Sequence, residues 1–247
     1  MPRYKLTIEY EGTAFVGWQR QDNGFSVQEA LEDAADKMDP AGAPHRFFVA
    51  GRTDAGVHAL GQVAHVDTEK DFPADNVRDA LNFHVKPHRI SVLAAEQVDE
   101  EFHARFSATE RAYLYRILNR RGPAAIERGR VWEIRPELDW KAMRDAAQVL
   151  LGRHDFTTFR ASECQADSPI RTMDMIDIWK DGEEIRINVR ARSFLHHQVR
   201  NIVGTLRLVG DGKWTRDDLK AALEAKDRRA GGPTAPACGL YLVEVRY

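Results

Sequence analysis

Ala50 to Asp67 reads AGRTDAGVHALGQVAHVD, in which a glycine-bounded hexapeptide, Gly51-Arg52-Thr53-Asp54-Ala55-Gly56, runs into Gln62-Val63-Ala64-His65-Val66. The second run alternates as a half-buried strand does. Phe47-Phe48-Val49, just upstream, is apolar and strand-like. Two strands are therefore expected, at about 46–50 and 61–67, joined by a loop that carries an arginine and an aspartate. Glycine accepts positive φ and aspartate bonds its own backbone, so a turn accounts for part of the hexapeptide. It accounts for neither Arg52 nor the second glycine. The other reading is a rigid loop that presents Asp54 for chemistry.

Outward from this hairpin, Tyr4, Leu6, Ile8 and Tyr10 alternate along a first strand, Arg3 to Tyr10. Ser26-Val27-Gln28-Glu29 has the form of a capping box, and Val27, Ala30, Leu31, Ala34 and Met38 follow at helical spacing until Pro40 and Gly42. Pro73 to Phe83 is a second helix through Val77, Ala80 and Leu81, and Ile90 to Val98 a strand. The order β-α-β-β-α-β is the ferredoxin-like arrangement, a four-stranded sheet with both helices on one face and the other face open.

The remaining sequence carries a similar order. Ala112 to Leu118 reads as a strand, Val131 to Ile134 as a short one, and Asp139 as the cap of a helix to Leu150. Strands at Ile170 to Trp179 and Ile185 to Ala191 are joined by Lys180-Asp181-Gly182-Glu183, where Asp-Gly signals a tight hairpin. Leu195 to Val209 is expected to be a helix with the stripe Val199, Ile202, Val203 and Leu206; Thr215 with Asp218 caps another, and Leu240 to Val245 is a last strand. The expected fold class is α+β: two pseudo-duplicated ferredoxin-like halves, 1–105 and 106–247, with mainly antiparallel sheets meeting at a central cleft.

At 247 residues, 43% of them hydrophobic and 30% charged, the chain has the length and composition to bury a real core. No apolar run approaches the roughly 20 residues of a membrane span. The start, MPRYKLTIEYEG, reads as a strand and not as a signal peptide. Cys164 and Cys238 form neither a CxxC pair nor a disulfide framework, which fits a reducing cytoplasm. The net charge of −2 does not mark a nucleic-acid binder, but the charge is segregated. His103 to Arg130 holds seven arginines against two glutamates, and Arg186 to Arg207 five arginines and no acid. Guanidinium forks suit phosphates and stack on bases, and a local basic surface steers association whatever the net charge.

Several motifs carry a family resemblance. GRTDAGVHA at 51–59, followed by GQVAH at 61–65, closely resembles the signature of the TruA family of tRNA pseudouridine synthases. Arg111-Ala112-Tyr113-Leu114-Tyr115 looks like that family's R-x-Y-x-Y strand. Phe194 to Gly204, FLHHQVRNIVG, resembles a second signature, and Pro233 to Leu242, PTAPACGLYL, the closing motif. With Trp18-Gln19-Arg20-Gln21 the matches span nearly the whole chain. The resemblance implies that Asp54 is the catalytic residue, that Tyr113 stacks on the target uracil, and that Arg200 is the basic partner of the aspartate. It implies too that Leu240 packs beside the base and that Arg52 contacts phosphate and helps hold the flipped nucleotide. On spacing alone Tyr115 is as good as Tyr113, since both lie on one face of a strand. The implied reaction isomerises uridine at positions 38 to 40 of the tRNA anticodon stem-loop, without cofactor or metal. The implied assembly is a homodimer in which one tRNA contacts both subunits.

Two other readings use the same residues. A catalytically silent RNA-binding module would share the arginines but need no Asp54. A metal-dependent phosphodiesterase would use Asp54, His58 and His65. The adjacent pair His196 and His197 is a poor chelate if helical, because neighbours on a helix point about 100° apart.

Overall fold

Tyr4, Leu6, Ile8 and Tyr10 are all buried, and they are one face of β1 (Arg3–Tyr10). The computed structural model describes residues 1–164 and 166–247. Two compact units emerge: Met1–Thr109 together with Tyr241–Tyr247, and Glu110–Leu240.

In the first unit, α1 (Val27–Met38) begins where the Ser26 side chain accepts the Glu29 N–H. It is followed by β2 (Phe48–Val49), β3 (His58–Asp67), α2 (Ala74–His84) and β4 (Ile90–Val98). β1 lies between β4 and β3 and runs antiparallel to both, and β2 is antiparallel to the far end of β3, with Phe48 opposite His65. This is the β-α-β-β-α-β order read from periodicity. The last strand, β10 (Leu240–Arg246), then joins β3 in parallel, with Tyr241 opposite His58 and Leu242 opposite Ala59. The sheet face away from Leu6 and Ile8 is partly covered: Val63 packs with Ala50, Ala104, Phe102 and Val245.

The second unit contains β5 (Glu110–Asn119), β6 (Trp132–Ile134), α3 (Trp140–Ala147), β7 (Gly152–Asp155), β8 (Ile170–Asp181), β9 (Glu184–Ala191), α4 (Gln198–Gly210) and α5 (Arg216–Ala225). Its antiparallel sheet runs β5-β9-β8-β7, with β6 parallel to the end of β5. Asp139 caps α3 by accepting the N–H groups of Lys141 and Ala142, and Thr215 with Asp218 forms a full capping box on α5. The protein is thus an α+β chain with mostly antiparallel sheets. Among the described residues no helix is long and apolar enough to cross a membrane.

Three boundaries differ from those expected. β2 has only two residues, Phe48–Val49, which pair with His65 and Ala64. β3 starts at His58 and not at 61, because the turn before it is tight. α4 starts at Gln198 and not at 195, because His197 adopts a left-handed φ of 61° and the Leu195 N–H donates to Gln198 Oε1 at 2.8 Å. A side-chain acceptor has replaced the helical turn there.

Candidate active site

The loop between β2 and β3 owes its shape to buried polar groups on the strands beside it. Tyr10, the last residue of β1, places its hydroxyl 2.7 Å from Thr53 Oγ1. Gln62, buried in β3, donates from Nε2 to Gly51 O at 2.7 Å and to the Tyr10 hydroxyl at 3.3 Å. The Trp18 N–H donates to Thr53 O at 3.0 Å, and Gly17 forms an isolated antiparallel bridge with Asp54. Finally the Val57 N–H donates to Asp54 O at 3.1 Å, closing a turn whose third residue, Gly56, has a φ of 76°. A positive φ at that position is what a type II turn requires, so the second glycine follows from the turn itself. The tight turn and the rigid loop are one object.

Within it Thr53 is buried, Asp54 half-buried and Arg52 exposed. Arg52 has no acidic partner among the described residues, so an ion pair does not explain it. Burial pushes the Tyr10 hydroxyl up to about 12, so it remains a neutral hydrogen-bonding group at physiological pH.

In the second unit the structure separates the two tyrosines that spacing left equal. Tyr115 is fully buried and donates its hydroxyl to Pro236 O at 2.7 Å. Tyr113, opposite Val189 in β9, is only half-buried, its ring edge-on to Phe194 at 5.2 Å. Of the two, Tyr113 keeps ring surface for a ligand.

Arg200 lies in the first turn of α4 and is half-buried. Its Nε donates to Ala235 O at 2.8 Å, and the Ala235 N–H donates back to Arg200 O at 3.1 Å. The segment before Ala235 reaches this clasp only because Gly204 has no side chain, since a Cβ there would stand 1.7 Å from Pro233 O. Asn201 strengthens the same turn, donating to Phe159 O at 2.9 Å and accepting from Thr234 Oγ1 at 2.6 Å. Leu240 is buried at the start of β10, after the short turn Ala237–Gly239.

The sequence model of one family, described as tRNA pseudouridine synthase, matches residues 6–107 and 146–247. Over all 247 residues the chain is 63% identical to tRNA pseudouridine synthase A of Paramagnetospirillum magneticum, covering 96% of that protein. It is 60% identical over its full length to the enzymes of the same name from Rhodospirillum centenum and Afipia carboxidovorans, each covered completely. The chain belongs to the tRNA pseudouridine synthase family. It is therefore an enzyme, an isomerase.

Other polar residues of this pseudouridine synthase have structural work. His58 stacks on Tyr241 at 4.7 Å and accepts the Gly12 N–H at Nδ1, at 2.9 Å. His65 accepts the Ala104 N–H at Nδ1, at 3.1 Å, and burial, aided by the charge of Arg3, pushes its pKa down to about 4. Both rings accept a backbone N–H inside the first unit. His196 and His197 precede α4, with ring centroids 4.0 Å apart, so the divergence expected of helical neighbours does not apply to them.

The arginine-rich runs also divide. Arg116 pairs with Glu127 at 2.9 Å and with Glu184, Arg120 with Glu183 at 2.7 Å, and Arg190 with Glu110 at 2.9 Å. Arg186 pairs with Asp181 at 2.9 Å, and Arg207 lies 3.3 Å from Asp211. Part of the expected cationic surface is thus spent on cross-strand and helix pairs, and the count of arginines overstates it.

Sequence reasoning passed over Tyr10, Gln62 and Asn201. A signal existed for Gln62, a polar residue that shares its strand face with Ala64 and Val66. Buried polar groups need partners, and here the partners are the loop that carries Asp54.

Proposed function

We propose that this protein converts uridine to pseudouridine at positions 38 to 40 of the tRNA anticodon stem-loop, using Asp54 and no cofactor. The observation that carries the reading is the loop at 51–56: a half-exposed carboxylate on a backbone tied to β1, to β3 and to Trp18, in a member of the pseudouridine synthase family. Attack or proton removal requires a carboxylate fixed near its target, and a floppy loop would forfeit that advantage.

The target nucleotide first leaves its stack. The C1′–N1 bond then breaks, the base rotates, and a C5–C1′ bond forms. C5 gives up its proton and N1 ends up carrying one, so the composition is unchanged. Nothing is oxidised, reduced or hydrolysed. Asp54 acts at C1′, at C6 or on the 2′ proton. Tyr113 stacks on the uracil, Leu240 packs beside it, and Arg52 contacts phosphate and holds the flipped nucleotide. Arg200 opposes the desolvation that would otherwise protonate the reacting carboxylate. The resemblance of the motifs supports these roles, together with action as a cytoplasmic homodimer on one tRNA.

Incubation with unmodified tRNA transcript, followed by chemical mapping of pseudouridine, tests the reading. Product at 38–40 is expected from the wild type in excess EDTA with prefolded tRNA, and none from Asp54→Asn. Product at other positions would overturn the site assignment, and turnover by Asp54→Asn would overturn the role of the carboxylate.

A further inference from the structure

Phe106, with 72% of its surface exposed, stands at the end of a series of rings in the first unit. Its ring centroid is 4.4 Å from His103, which lies 5.6 Å from Phe48 and 4.8 Å from His65. Phe48 is 45% exposed and lies nearly parallel to the buried His65, at 5.0 Å and 15°. The Arg105 guanidinium is 5.7 Å from the centre of the Phe106 ring.

These groups make a ladder of rings, stacked at Phe48–His65 and edge-on where His103 meets both, anchored in the sheet at His65 and open to water at Phe48 and Phe106. His65 and His103 both have lowered pKa values, by burial and by the charge of Arg3, which keeps them as flat neutral rings. Exposed rings interleaved with guanidinium groups are how proteins hold unpaired nucleotides: the rings take bases, the cations phosphates. Position supports this occupant as well. Phe48 precedes Asp54 by six residues (54 − 48), so no more than about 22 Å of backbone separates them.

We infer that the Phe48–His103–Phe106 ladder is a second nucleobase-binding surface for the RNA substrate, on which an unpaired base stacks while Arg105 takes the neighbouring phosphate. The inference rests on the proposed RNA substrate but not on the reaction at Asp54.

The test measures affinity for unmodified tRNA, and for a short single-stranded uridine oligonucleotide, over a range of salt. Phe106→Ala and Phe48→Ala are each expected to weaken binding about tenfold, the order of one lost stacked base, with the salt slope unchanged. Arg105→Ala should instead flatten the log–log slope by about 0.7–0.9. Phe106→Trp should retain affinity, with its fluorescence quenched by RNA. Because Phe106 is exposed, its truncation spares the core, and circular dichroism checks the fold. Unchanged affinity in both alanine variants overturns the proposal. So does a change in sedimentation mass with RNA binding intact, which would make the ladder a contact between copies. Should the wild type bind RNA without isomerising it, the catalytic reading fails while these affinities still decide the ladder.

Discussion

The loop that carries Asp54 and the helical turn that carries Arg200 are held by different balances of the same restraints, hydrogen bonds and close backbone approach. Around Asp54 the restraints are hydrogen bonds from buried side chains: Tyr10 to Thr53, and Gln62 to Gly51. Around Arg200 they are one bond from its side chain to Ala235 O, one backbone bond back from Ala235, the side-chain bonds of Asn201, and a close approach that only Gly204 permits. A hydrogen-bonded loop fails by loss of single atoms, each of which leaves a buried partner unsatisfied. A close-packed strap fails by gain of single atoms, which have nowhere to go. The Asp54 loop should therefore be sensitive at Thr53 and Tyr10 to deletion of a hydroxyl, and the Arg200 turn at Gly204 to insertion of a methyl.

The largest effect should come from the arginine itself. Arg200→Ala is expected to slow turnover at least a hundredfold, about 2.7 kcal/mol of transition-state stabilisation. Arg200→Lys should recover only part, because lysine keeps the charge but loses the planar fork and the Nε that bonds Ala235 O. In single-turnover assays, Arg200→Ala combined with Asp54→Asn should be no slower than Asp54→Asn alone. Additive losses would show that the two residues act independently.

Gly204→Ala should follow, as a stability effect. A methyl 1.7 Å from Pro233 O forces the strap off the helix, at a cost of about 3 kcal/mol read from the denaturant midpoint. A variant as stable as the wild type would mean that the strap adjusts freely, and the contrast would collapse.

Thr53→Val removes one hydroxyl and keeps the shape. It should lower kcat roughly tenfold with KM little changed, as expected when about 1–2 kcal/mol of loop restraint is lost. Thr53→Ser should restore the rate, which a merely volumetric role of Thr53 would not explain. Tyr10→Phe probes the same bond from the other side, and a wild-type kcat in both variants would break the argument for the loop.

The smallest expected effect is one of pH. His65 has a folded pKa of about 4 against an ordinary value of 6.5, so the unfolded chain binds more protons between those limits. The stability His65 contributes is complete above about 6.5 and is lost as pH falls towards 4. The full shift corresponds to roughly 3 kcal/mol as an upper limit, which relaxation and solvent access at the ring reduce. His65→Gln should flatten the fall in denaturant midpoint across that window.

Much of the architecture was legible because it repeats. Alternation gave β1, and the Asp-Gly pair at 181–182 gave the hairpin between β8 and β9. Where a side chain takes over a backbone bond, periodicity is silent, and the start of α4 at Gln198 is such a case. β7 was missed because Gly-Arg-His-Asp carries no apolar alternation at all. At the candidate site, motifs pointed to Asp54, Arg200 and Tyr113, while spacing alone left Tyr113 and Tyr115 equal and only the structure shows that Tyr115 is the more buried. The arginines show the same limit, since Arg116 meets an acid 68 residues away, which no local count of charges can register.

The parallel strand at the end of the chain has a consequence for synthesis. Tyr241 to Tyr247 belong to the first unit, where Tyr241 covers His58 and Leu242 pairs beside Ala59. A ribosome makes about 5–20 residues per second, so the 131 residues from Glu110 to Leu240 (240 − 110 + 1) take roughly 7–26 s. Throughout that interval the His58–Ala59 end of β3 has an unpaired edge, and the histidine lacks its stacking partner. An unpaired edge is where strands of other chains attach. The unit that carries Asp54 is begun before the other and completed after it, and its nascent form is the one a chaperone would have to shield.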